Sequence, residues 1–527
     1  MNRTRGARIR SAAGRSLWAL GVVALVAGAV VYPDTLPSPD PDPVEPMILD
    51  VPAPSTVLVC PGTVRLPTEP DPGGDIVYDP AFDTAPGESV ATLGVVTTRP
   101  SAQTTASRVL VESLEATAIG QVSPTASVGG LVVDDAEDAV VLRADAADRV
   151  PAWVAGALGV VTAEGDLRGL VAASCQYPAA ENWLVGGSTA LGSSARLVLQ
   201  NPGATPASVT VRIWGPSGPV DLAGAPEYLV PPRSERAVLL EGVAAEQPRI
   251  VVQTSSSGGV VSAYLQDSLL RGFVPAGVDH LVGGQGPSLR QVVAFSVTET
   301  EVDTADAAVL RLLSPGDEPG TVGVTFLGPE GPVDLPGTTR IAVQAETVLD
   351  VPLGGLPAGS YLAVVDADVP VVAGGLSTRG AGVGGPTPED VPMDRAWAAS
   401  VATGRGGPLA LPAGARGELL LAAVPDDDVT GPMAVTVEAI GADGQVLGAS
   451  EHVVPDSRTL ALDLASLATD AATDPDGDSE VIGVVLRTED PRIAWTVVLL
   501  TPDDEMIGLL TPVPPRPPQP QVGVQLR

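Results

Sequence analysis

Short runs in which apolar and polar side chains alternate recur along most of the chain, broken by stretches rich in Gly, Pro, Ser and Asp. Alternation at period 2 sends one set of side chains to one face, so each run predicts a half-buried β-strand. The runs themselves repeat. Leu197-Val-Leu-Gln-Asn-Pro-Gly203 is followed by Val209-Thr-Val-Arg-Ile-Trp-Gly-Pro-Ser-Gly-Pro-Val-Asp-Leu222. The same pattern returns at an offset of 113 without a gap, as Leu310–Gly316 and Val322–Leu335. A weaker third copy begins at Val435-Thr-Val-Glu-Ala-Ile-Gly-Ala-Asp-Gly444, with Leu419-Leu-Leu421 as its leading strand.

Each copy reads as a hairpin closed by a Gly-Pro-Ser-Gly, Gly-Pro-Glu-Gly or Gly-Ala-Asp-Gly tetrad, whose glycines accept positive φ. A later strand follows in each (Arg236–Leu240, Thr347–Val351, Thr459–Leu464), and then a closing hairpin (Ile250–Gln266, Tyr361–Leu376, Gly483–Leu500). A similar ending, Leu158–Ala173, marks the segment before it as a diverged fourth copy. The period suits tandem immunoglobulin-like β-sandwich domains. These predict an all-β fold with domains at 55–182, 183–289, 290–397 and 398–511. A β-propeller with two blades per repeat is the alternative, although the halves of a repeat do not resemble each other. Gly/Pro-rich stretches near 271–290 and 377–408 read as linkers or crossover strands, and 512–527 as a disordered Pro-rich tail.

The first residues follow another pattern. Arg3, Arg5, Arg8, Arg10 and Arg15 precede an uninterrupted apolar run, Leu17–Tyr32. Positive charge on the near side keeps that end cytoplasmic and sends the remainder outward. Residues 1–16 thus read as a cytoplasmic basic segment and 17–32 as a single-pass transmembrane anchor. A signal-peptide core, cleaved near Ala27-Gly-Ala29 to release a secreted protein, is the alternative. Residues 33–54 alternate Pro with acids, which suits an extended stalk and neither ladder nor helix.

Composition narrows the function. The 29 basic residues are all Arg, so chemistry that needs a lysine is closed to this chain. The net charge is −34, and −39 once the five arginines of the first 32 residues are set aside. Such a surface repels phosphate backbones and excludes nucleic acid as a partner. Aromatics are only 3%, so the cores are filled by Val, Leu, Ala and Ile, and at least three of Trp183, Trp214, Trp397 and Trp495 read as core anchors. Cys60 and Cys175, the only cysteines, predict a disulfide in an exported chain. Two small buried thiols are the alternative.

No Gly-x-Ser-x-Gly elbow and no His-Glu-x-x-His helix occurs. The two histidines, His280 beside Asp279 and His452, read as surface or turn residues. The run Asp474-Pro-Asp-Gly-Asp-Ser-Glu480 is acidic enough for calcium, but its glycine stands fourth where the EF-hand order has it sixth, and it reads as a solvated loop. No catalytic residue, metal ligand or cofactor is assigned.

Cys175, the Trp183-Leu-Val-Gly-Gly187 that follows it, the Leu-Val-Leu-Gln-Asn-Pro-Gly strand, the Gly-Pro-Ser-Gly turn and the closing Val261-Ser-Ala-Tyr264 hairpin, with the basic anchor and acidic stalk, carry a resemblance. The chain resembles an actinobacterial family of unknown function, whose members are large secreted or membrane-anchored proteins often encoded near cell-envelope glycosyltransferases. The resemblance implies architecture and supplies no catalytic residue. The expectation is an exported cell-envelope protein that acts as a non-catalytic scaffold or binding module. Its partners would be the membrane, through the N-terminal helix, and an envelope glycan or a protein of a glycosyltransferase complex. A polysaccharide-processing enzyme with a loop-formed site is the alternative.

Overall fold

A computed structural model describes residues 18, 47–50, 52–66, 87–102, 104–124, 127–146, 150–298, 307–380, 391–404, 406–426, 429–468, 480–516 and 521–524. These fall in two units, one of Met1–Pro52 with Gln519–Arg527 and one of Ala53–Pro518. In the first unit Met47–Asp50 pairs antiparallel with Gln521–Val524. Both windows lack proline and can complete a ladder, so order reaches into the expected stalk and tail. The expected spanning segment, 17–32, lies outside the described residues apart from Trp18. Among the described residues no helix is long and apolar enough to cross a membrane.

The second unit is all-β and holds four sandwiches of one topology. In the first, Thr56–Cys60, Val140–Ala144, Val109–Ser113 and Ala118–Val122 form one sheet, in that order. Val128–Asp134, Ser89–Thr98, Trp153–Thr162 and Gly169–Ser174 form the other. Numbered along the chain, the strand orders are 1-6-3-4 and 5-2-7-8, and the other three sandwiches repeat them. Their seventh and eighth strands are Ser262–Arg271 with Val274–Val282, the second half of Gly359–Gly380 with Met393–Ala399, and Ile493–Leu500 with Ile507–Leu510. The propeller alternative finds no support, since among the described residues neither radial blades nor a closed barrel is present.

Two expectations are corrected by this topology. The second and third strands of each copy lie in opposite sheets, and so do the sixth and seventh. They are corners of the sandwich and not hairpins. In the third copy the chain crosses between sheets as one strand, Gly359–Gly380. The connectivity also departs from the immunoglobulin order, where the first strand pairs with the second and the last with the sixth. Here the first pairs with the sixth and the seventh with the second.

The eighth strands lie in the stretches read as linkers or crossover strands. Val274–Val282 and Met393–Ala399 are buried along most or all of their length. They meet Gly169–Ser174 and Ile507–Leu510, so all four eighth strands converge on one centre. Around it the sandwiches close in a head-to-tail ring, the heterologous arrangement that closes when the rotation per step is right. The outer face of each 5-2-7-8 sheet packs on the preceding sandwich, and that of the first packs on the fourth. Val96, Ala155, Ala157, Leu170 and Ala172 of the first share a core with Leu409–Leu411, Ile482 and Val484 of the fourth. A sheet covered on both faces needs apolar residues on both, which is why these strands read as near-continuous hydrophobic runs.

Polar clamps reinforce the joints. Across the first joint the Arg65 amide donates to Gln266 Oε1 (2.9 Å) and Gln266 Nε2 donates to the Arg65 carbonyl (2.7 Å). Across the second, buried Arg311 holds Asp350 with two parallel bonds (2.7 and 2.9 Å), donates to the Gly187 carbonyl (2.5 Å) and stacks on Trp397. Across the closing joint Ser174 Oγ donates to the Thr511 carbonyl (2.7 Å) and Arg487 donates to Thr98 Oγ1 (2.9 Å). The repeated tetrads also find a role here. Gly441 and Gly444 of the fourth sandwich abut Gly130 of the first so closely that a Cβ on Gly130 would lie 2.6 Å from the Gly441 carbonyl oxygen.

Candidate functional site

The joint between the third and fourth sandwiches holds a cleft of about 1630 Å³. One wall is the end of the third sandwich's first strand, Ser296 and Val297, with Thr298 after it, Gly359 and Ser360, and Pro329 of that sandwich's Gly-Pro-Glu-Gly tetrad. The floor is the outer face of the fourth sandwich's 5-2-7-8 sheet: Thr459, Ala461 and Asp463 of its fifth strand, Glu418 and Leu420 of its second, Val498 and Leu500 of its seventh. Alternate residues line the floor because a strand shows every second side chain to one face. Arg379, Arg416, Glu480 and Asp504 complete the rim. Several rim groups are engaged: Ser360 Oγ donates to Glu418, the Gly414 amide to Glu480, and Arg379 Nε to the Asp504 carbonyl (2.5 Å). Among the described residues no histidine, cysteine or aromatic lines this cleft. It offers hydrogen-bonding walls over a partly apolar floor, which suits binding.

A second constellation sits at the ring centre. Asp394 Oδ2 accepts from the Leu170 amide of the first sandwich (3.1 Å) and the Ile507 amide of the fourth (2.8 Å), so one carboxylate ties three sandwiches. Asp279 accepts from the Trp397 amide (2.6 Å) and from the His280 amide (2.8 Å). Asp267 accepts from Trp397 Nε1 (2.8 Å) and pairs with Arg395 (3.4 Å). Burial dominates their electrostatics, because it penalises the charged form. It pushes Asp394 up to about 7 against the pull of its amide donors, and Asp279 well above the usual carboxylate range. It drives His280 down to about 3, helped by Arg196, so that imidazole is neutral. Displaced acidity often marks catalysis. Here the groups lie in a sealed joint, and the cleft residues do not include them.

The sign of that shift gives a prediction. A carboxyl whose folded pKa is raised adds stability that is complete below its unfolded pKa and is lost as pH rises through the folded value. For Asp394 the window runs from about 4 to about 7. Asp394→Asn keeps an oxygen for the two amides and removes the titration. Urea midpoints should fall from pH 5 to pH 8 by clearly more in the unaltered chain than in the variant. Equal falls would contradict this assignment.

The sequence-assigned residues are placed as follows. Cys60 and Cys175 form a disulfide buried in the first sandwich. His280 is 1% exposed against Tyr264, at 4.8 Å between ring centroids, which corrects its reading as a surface or turn residue. His452 is half-buried with Nε2 2.7 Å from Ser450 Oγ. Trp183, Trp214, Trp397 and Trp495 are all buried, as core anchors should be. Of the acidic run 474–480 only Glu480 is described, on the cleft rim. Among the described residues no three His, Cys, Asp or Glu converge as a metal set. Sequence reading missed Asp267 and Asp394, and named Asp279 only as the neighbour of His280. The available signal was an acid inside an otherwise apolar run, as in Val278-Asp-His-Leu-Val282.

Residues 131–465 match the model of a family described as a family of unknown function (DUF5719). The match begins in the fifth strand of the first sandwich and ends in the short 3-10 helix Leu464–Leu467 of the fourth. No curated protein and no solved structure matches the chain.

Proposed function

The chain belongs to this family of unknown function, DUF5719, and from that premise we propose that it is an exported protein of the cell envelope that works as a non-catalytic scaffold. An N-terminal anchor would hold it at the membrane with the ring outside. Its partner would be an envelope glycan or a protein of an envelope glycosyltransferase complex. The observation that carries the export reading is the Cys60–Cys175 disulfide, since such bonds persist in oxidising compartments. Five arginines ahead of an apolar run support the same orientation. The scaffold reading is supported by a body locked by buried clamps at its centre, where the displaced carboxylates hold main-chain amides of neighbouring sandwiches.

The test uses a C-terminal epitope tag in whole cells whose outer layers have been permeabilised. External protease should remove the tag while a cytosolic marker survives. A protected tag would refute export. Purified protein incubated with envelope polysaccharide should release no new reducing ends, and release of them would carry the enzyme alternative instead.

A further inference from the structure

The repeat itself shows where one copy carries chemistry that the fold does not require. In the third strand the inward positions stay apolar, so that Val209, Val211 and Ile213 return as Val322, Val324 and Phe326 at the offset of 113. The turn is kept as well, since Gly215-Pro-Ser-Gly-Pro-Val-Asp-Leu222 returns as Gly328-Pro-Glu-Gly-Pro-Val-Asp-Leu335. The outward positions differ. Thr325 and Glu438 stand at the place of Arg212 in the third and fourth sandwiches, and Leu327 and Ile440 at the place of Trp214. Trp214, Leu327 and Ile440 are all buried, and the two aliphatic residues fill the place without a polar atom. Trp214 fills it with an indole that is 5% exposed and whose Nε1 has no hydrogen-bond partner among the described residues. A buried donor left unsatisfied costs stability that an aliphatic side chain would not. Trp183, stacked on Trp214 at 5.5 Å between ring centroids, is satisfied, because its Nε1 donates to Glu181 (2.7 Å).

Trp214 lines a cavity of about 360 Å³ where the second sandwich meets the third. That volume lies at the lower end of the range of small-molecule sites. Arg212 and Asp221 of the second sandwich and Glu346 of the third also line it, and Val220 and Leu222 add apolar surface. Among the described residues none of these three charged side chains makes an ion pair or a hydrogen bond. All the lining residues lie within two unbroken described runs, 150–298 and 307–380. We propose that this cavity binds a neutral saccharide unit, its hydroxyls held by Arg212, Asp221 and Glu346 and one of its oxygens by Trp214 Nε1. The proposal places the glycan partner of the scaffold reading and rests on that reading. The donor and acceptor set selects the ligand. A hydroxyl both donates and accepts, so neighbouring hydroxyls satisfy one guanidinium and two carboxylates together. An anion would meet the two carboxylates, and a cation would meet the arginine.

The test applies the labelled full chain to a printed array of neutral, amino and acidic oligosaccharides, and then titrates the best binder in solution. Neutral members should be retained. Arg212→Thr, which imports the residue of the third sandwich at an exposed position, should weaken the titrated saccharide about ten-fold, the loss expected for a hydrogen bond to a charged group. Asp221→Ala, also at an exposed position, should do the same. Trp214→Phe keeps an aromatic ring against Trp183 and removes the donor, and should weaken binding about five-fold. Thermal melting without sugar checks that each variant is folded. The two exposed variants should melt with the unaltered chain, so they carry the test even if Trp214→Phe destabilises the joint. An array that retains no neutral saccharide would overturn the proposal, and so would one that retains acidic sugars alone. A neutral saccharide bound equally by the unaltered chain, Arg212→Thr and Asp221→Ala would also overturn it. The protease and reducing-end experiments read export and catalysis without this cavity, so its failure and theirs are distinguishable.

Discussion

Replacing Cys60 and Cys175 together by alanine should destabilise the first sandwich by about 4–5 kcal/mol, because the disulfide closes a loop of about 115 residues in the unfolded chain. The folded state should change little. The bond lies beside a main-chain clamp in which the Val59 and Gln176 amides each donate to the other residue's carbonyl (2.8 and 2.9 Å), and that clamp survives the substitution. Both sulfurs are buried, so reductant should act only on molecules that have already opened. Urea unfolding followed through the first sandwich would show the loss as an earlier transition. A midpoint equal to that of the unaltered chain would contradict the assignment.

Gly94→Val should part the first and fourth sandwiches. Gly94 lies in the middle of Ser89–Thr98, where valine is ordinarily favoured over glycine. An isolated sandwich would therefore tolerate the change or gain from it. In the ring a Cβ at Gly94 would overlap the Leu411 carbonyl oxygen, which belongs to main chain and cannot rotate away. Overpacking of this kind costs about 1–3 kcal/mol, and more where backbone must move. Relief comes most readily by opening the joint, which exposes Val96, Ala157 and Leu170 together with Leu411. Increased binding of a hydrophobic dye and a lowered melting temperature would report it. A variant as stable and as dye-silent as the unaltered chain would show that the joint is not closed.

Much of the architecture was legible. The offset of 113 between Leu197 and Leu310, and between Val209 and Val322, identified the copies, because strand alternation and tetrad turns are local chemistry. Partner choice was less legible. A strand's period states that one face is buried and does not state which strand lies beside it, so corners such as Ser255-Ser-Ser-Gly258 read as hairpins. The ring was the least visible feature. Its traces are glycines that permit close approach, Gly94 and Gly159, and sheet faces apolar on both sides. Composition alone reads these as an ordinary Gly- and Val-rich sequence. His280 was misread for the same reason, since its strand packs on the eighth strands of neighbouring sandwiches as well as on Tyr264 of its own.

The central claim is that four sandwiches of one chain close on themselves. Small-angle scattering of residues 53–518 tests it most directly. A closed body of about 470 residues should give a radius of gyration near about 23 Å. Four sandwiches strung in line, each about 110 residues, would give roughly 40 Å by the same scaling. A value near the first supports the ring, and a value near the second would contradict it.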